Sequence, residues 1–174
     1  MPAIFLEELM FRMIQPVPFF LRRVLLALAM AGMTASASAG DLMEAAEQSG
    51  TFKEFIEAAK KTGVDKILRS EGPYTVFAPT DEAIAKFGTE RWQEISRDNE
   101  QMTRLLKHHV LPGKALITEV KPGPAETLSG ATIALKSDNG LVKAGTANVT
   151  QSDISADNGV IHAIDEVVSA DPSR

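Results

Sequence analysis

The spacing of apolar positions changes along the chain, and each change marks an element. Phe52, Phe55, Ile56 and Ala59 recur at i, i+3, i+4 and i+7, the stripe of an amphipathic helix. Gly63 closes it. Thr51 stands where an N-cap belongs, with Glu54 as its capping-box partner. Upstream, Leu42, Met43, Ala45 and Ala46 repeat at helical spacing up to Gly50, and Val64–Leu68 reads as one further turn. After Gly72-Pro73 the apolar character becomes nearly continuous from Tyr74 to Ala78, which predicts a buried strand. Thr80 then caps a helix over Asp81–Phe87, with Asp81 and Glu82 in its first turn, where the helix dipole favours negative charge. Met102, Leu105, Leu106 and His109 restore the helical period over Asn99–His109. His109 lies on that apolar stripe, and His108 points away from it.

Beyond Ala115 the runs shorten. "AETLSG", "TIALKS" and "LVKAG" are divided by Gly, Pro, Asp and Asn, and "ALITEV" has mixed signals. Asp138-Asn139-Gly140 is a hairpin signal, because Asn-Gly supplies positive φ. Ala147–Ile154 and Val160–Val168 follow as strands joined by "SADNG". Helices first and antiparallel strands after them predict an α+β domain.

The first 39 residues break this scheme. Arg22-Arg23 precedes a ten-residue apolar run, Val24–Met33, and then Ala37 and Ala39 at cleavage-site spacing. That order predicts a signal peptide over 1–39, too short to span a membrane, and a single domain over 40–174. Glu7 and Glu8 are out of place in a signal, which points to a start at Met10 or Met13. Three arginines and two glutamates would leave with the segment, taking the net charge from −5 to −6. So acidic a chain argues against nucleic acid and against docking on anionic lipid. With no cysteine, the domain must rest on its core rather than on disulfides. The expected product is a monomer, periplasmic or extracellular, with no membrane insertion after cleavage.

Candidate chemistry is thin. Three histidines and no cysteine make a poor zinc set, and adjacent helical residues such as His108 and His109 diverge by about 100°. Ser152 or Ser155 with His162 and Asp165 could be drawn as a triad. No nucleophile elbow marks either serine, and His162 and Asp165 would face opposite ways in a strand. No catalytic residue, metal or cofactor is expected. His162 shares a strand face with Val160 and Ile164, and the other face is apolar too. A buried imidazole there must be hydrogen-bonded, so it is expected to pin the last strand in place, and His109 to do likewise for its helix.

Three stretches in this order, "YTVFAPTDEAI", "LLKHHVLPGKAL" and "NGVIHAIDEVV", resemble the signature blocks of the fasciclin (FAS1) domain, and "DLMEAAEQSGTFKEFIEAAKKTG" resembles its helical start. The resemblance covers about Gly40 to Ala170. It implies a wedge of two short-stranded sheets with helices packed over it, and a secreted, non-enzymatic module for cell adhesion or surface and matrix interaction. A soluble carrier of a small apolar or carbohydrate ligand is the alternative. The implied partner is a surface protein or polysaccharide. Thr80, Asp81, His109, Asn158, Gly159 and His162 fall in the blocks as structural residues. The family's adhesion-linked Tyr-His pair is His108-His109 here, and its integrin-linked Asp-Ile corresponds to Asp153-Ile154 just before the "SADNG" turn. Asp153, Ile154 and His108 are therefore the expected exposed binding residues.

Overall fold

The computed structural model describes residues 40–138 and 141–169. The proposed leader, 1–39, and Asn139-Gly140 of the proposed hairpin lie outside the described residues, as does the end of the chain from 170. Among the described residues, six helices come from the first half: α1 (Leu42–Ser49), α2 (Lys53–Thr62), α3 (Val64–Leu68), then, after strand β1 (Tyr74–Pro79), α4 (Asp81–Phe87), α5 (Thr89–Arg97) and α6 (Asn99–His108). Strand β2 (Val110–Pro112) and a single 3₁₀ turn (Ile117–Glu119) lead to β3 (Gly123–Glu126), β4 (Thr132–Asp138), β5 (Leu141–Ala144), β6 (Ala147–Ala156) and β7 (Gly159–Ile164). The stretch "ALITEV" is thus largely the 3₁₀ turn and its flanks.

The strands form one ladder in the order β2-β1-β7-β6-β5-β4-β3. The two expected sheets are its halves, and they share the long strand β6, which pairs with β7 on one side and β5 on the other. The strands after the helices pair antiparallel with one another, as expected, and one pair involving the earlier strand differs. β1 and β7 run parallel, with Phe77 opposite His162 and Val76 opposite Ile161. A parallel pair needs a long crossover, and everything from α4 to β6 supplies it. The ends of the ladder also meet: β2 touches β3, and Leu128 N–H donates to Val110 O at 2.8 Å. Pro124, in β3, has no N–H to offer a foreign strand on that edge.

Alternation along β1 and β7 divides the core in two. Val76, Ala78, Ile161 and Ala163 face the helices and pack with Phe55, Met102 and Leu106. Phe77 and Ile164 face the opposite way, into a second cluster with Ile133, Leu135 and Val142 from the curled strands. Both faces of β7 are consequently buried along its whole length.

Asp41, Thr80 and Asp98 cap α1, α4 and α6 locally, whereas the start of α2 is tied across the chain. Thr80 caps α4 by accepting from Ala83 N–H at 3.1 Å. Thr51 does not cap α2, contrary to expectation: the N-cap position is Phe52, which is buried and has no side-chain cap bond. The carboxylate of Asp81 takes that role from a distance, accepting from Glu54 N–H at 3.0 Å, while Asp81 N–H donates to Thr51 O. Helix α5 was not legible in the sequence. It buries Trp92 and half-buries Ile95, too few apolar positions to set a period.

Asn158-Gly159 closes the fold at the other end. Asn158 Nδ2 donates to Leu68 O and Ser70 O at 2.8 Å each, and Oδ1 accepts from Leu42 N–H at 2.9 Å. One side chain thereby ties α1, the end of α3 and the turn before β7. Gly159 lets β1 pass: a Cβ there would lie 2.2 Å from Tyr74 O.

Candidate functional site

His162 is fully buried on β7, with its ring 5.3 Å from that of Phe77. Nε2 lies 2.9 Å from Ala115 O, and Nδ1 accepts from Asp153 N–H at 3.2 Å. An N–H pointed at Nδ1 and a carbonyl at Nε2 fix a single neutral tautomer, with the proton on Nε2. Burial pushes the imidazole pKa below its ordinary value, against the opposing pull of the Ala115 carbonyl and the Asp153 charge. Ala115 is gripped from both sides, since its N–H donates to Thr75 Oγ1 at 2.9 Å, and Thr75 Oγ1 in turn donates to Gly113 O. Thr75 is buried in β1. It escaped the sequence reading because one threonine in an apolar strand gives no sign of its partner.

The Asp153-Ile154 pair is not an exposed turn. It lies inside β6, where the register against β7 shifts between Val149 and Gln151 and again between Gln151 and Ile154. Asp153 has φ 59°, left-handed backbone that an aspartate tolerates better than most side chains. Its carboxylate accepts from Ile117 N–H at 2.8 Å. Ile154 is half-buried and packs against the helical core. A bulge re-aims the backbone, and this one turns Asp153 N–H onto His162. Asp153 and Ile154 are therefore joined to the His162 pin, and the expectation of a freely exposed pair is corrected.

His108 is corrected in the same way. It is 2 % exposed, because the β3–β4 connection folds over the side of α6 that the helical period leaves outside. Nδ1 lies 3.3 Å from both Thr127 Oγ1 and Ser129 Oγ. Neither residue was singled out from sequence, although "TLSG" carries two hydroxyls in a turn-like stretch. His109 is buried at the end of α6; Nδ1 donates to Leu105 O at 2.8 Å and Nε2 accepts from Val168 N–H at 3.1 Å. Burial chiefly, and the neighbouring His108, lower its pKa to about 4.

The drawn triad does not assemble. Asp165 accepts from Asn148 N–H and Nδ2 at 2.7 and 2.8 Å, while His162 bonds to Ala115 and Asp153. Among the described residues no group of three or more His, Asp or Glu could hold a metal ion, and no helix is long and apolar enough to cross a membrane.

A family model described as the fasciclin domain matches residues 50–170. Protein sll1483 of Synechocystis is 35% identical over 142 residues, covering 80% of this chain and 79% of that protein. Transforming growth factor-beta-induced protein ig-h3 of Oryctolagus cuniculus is 32% identical over 77% of this chain but only 20% of its own length. Among solved structures, a FAS1 domain pair from the insect cell adhesion molecule Fasciclin I superposes with a TM-score of 0.61 at 15% identity, over 75% of this chain and 51% of that one.

Proposed function

The chain belongs to the fasciclin family, and from that premise we propose that it is a non-enzymatic binding module, exported from the cytoplasm, that mediates adhesion or surface interaction. Its partner is a surface protein or polysaccharide. The observation that carries the reading is the occupation of two of the three imidazoles. Both ring nitrogens of His162 and of His109 are engaged by the backbone inside the core, so neither serves as a general base for a substrate. The adhesion role is supported by the similarity in fold to an insect cell adhesion molecule. The carrier alternative draws on a cleft beside His108.

Incubating the purified protein with intact cells and isolated surface fractions tests the proposal. Saturable retention with no turnover of a panel of ester and glycoside substrates is the expected outcome. Hydrolysis, or no retention on any fraction, overturns it.

A further inference from the structure

A cleft of about 570 Å³ opens between the β3–β4 turn, the β5–β6 turn and the segment after β7. Small-molecule sites run from about 300 to 1,000 Å³. Its walls are His108, the Gly130–Ala134 segment, Gly145, Val168 and Ser169. None of these is charged, so an ion would lose its hydration there with no countercharge. Ile133 and Val168, 2 % and 6 % exposed, supply its apolar edge beside the polar groups of His108 and Thr132.

The hydrogen-bond chain behind the cleft decides what His108 offers it. Thr127 Oγ1 lies 2.7 Å from Ala131 O, so its proton points there. Ser129 Oγ lies 2.8 Å from Thr127 Oγ1; with the threonine proton spent, Ser129 is the donor. Both oxygens that meet His108 Nδ1 have then given their protons away, and Nδ1 must carry the imidazole proton. Nε2, across the ring, keeps the lone pair. His108 lines the cleft, and with its Nδ1 edge held by Thr127 and Ser129 the Nε2 edge is the one left for it. Burial also lowers the imidazole pKa, which keeps that lone pair free at neutral pH.

We infer that this cleft binds a neutral sugar ring, with a ring hydroxyl donating to His108 Nε2 and the apolar ring face against Val168 and Ile133. The cleft and its acceptor stand on geometry alone. The choice of a sugar over another neutral alcohol rests on the surface-binding reading above.

The test is a titration of the purified chain with glucose, galactose, N-acetylglucosamine and rhamnose, and with glucuronate as the anionic control, followed by amide and imidazole ¹⁵N spectra. At least one neutral sugar should bind with Kd on the order of 1 mM. It should shift the Gly130–Ala134 and Gly145 amides and the His108 Nε2 resonance, and glucuronate should not. Ala134 is an exposed wall residue, so Ala134→Trp should fill the cleft, keep the fold and weaken the response at least about tenfold. His108→Phe should remove it in protein whose melt shows the fold intact. The inference is overturned if no neutral sugar moves these signals, or if the shifts map elsewhere and survive in Ala134→Trp. Retention on cell surfaces with no cleft response refutes the sugar site alone; loss of both in the wild type refutes the surface reading with it.

Discussion

His162 shows how much one side chain can hold. Truncating it leaves Ala115 O and Asp153 N–H without their partner and opens a cavity beside Phe77. His162→Ala should cost about 1–3 kcal/mol, read as a lower urea midpoint at unchanged slope. The same imidazoles make stability depend on pH. In the unfolded chain His109 takes up its proton near pH 6.5, whereas in the fold it does so only at about 4. Between these values the unfolded state binds more protons, so this contribution is complete above about 6.5 and is lost as pH falls toward 4, on the order of 3 kcal/mol in all. His108 and His162 shift in the same direction, also through burial. Urea melts at pH 7.5 and pH 4.5 should show a clearly lower midpoint in acid. A midpoint that rises or stays level contradicts the buried neutral tautomers.

At the level of elements, helix starts are held both by local caps and by a residue distant in sequence. Asp81 serves α2 from 27 positions away, while Thr80 serves α4 locally. Asp81→Ala and Thr80→Ala should each cost about 1 kcal/mol, because each frees a different helix start. Thr51→Ala should stay within about 0.5 kcal/mol, since among the described residues its hydroxyl meets only Ser49. Thermal melts of the three single variants check the order. Gly159→Ala is harsher: its Cβ would press on Tyr74 O, in the backbone of β1. It should destabilise by more than about 3 kcal/mol and leave little folded protein by circular dichroism. Local signals were readable in the sequence, as with the Thr80 cap, the α2 and α6 stripes and the doubly apolar β7. Pairings made by the tertiary fold were not. The period of α6 sets His108 outside, and only the β3–β4 turn buries it. The alternation in "TQSDISA" carries no mark of the two register shifts that turn Asp153 onto His162.

At the scale of the whole molecule, the core among the described residues is assembled from Leu42 onward. A chain beginning at Gly40 should therefore melt in one cooperative transition; a spectrum without a transition would show that the leader contributes to the fold. We propose that the conspicuous histidine of the last strand holds the structure together and that binding belongs to other surfaces. The most direct measurement is retention of His162→Ala on cell-surface fractions, normalised to the folded fraction measured on the same sample. A lowered unfolding midpoint with wild-type retention per folded molecule is the expected result. An unchanged midpoint with retention lost would make His162 a contact residue and contradict it.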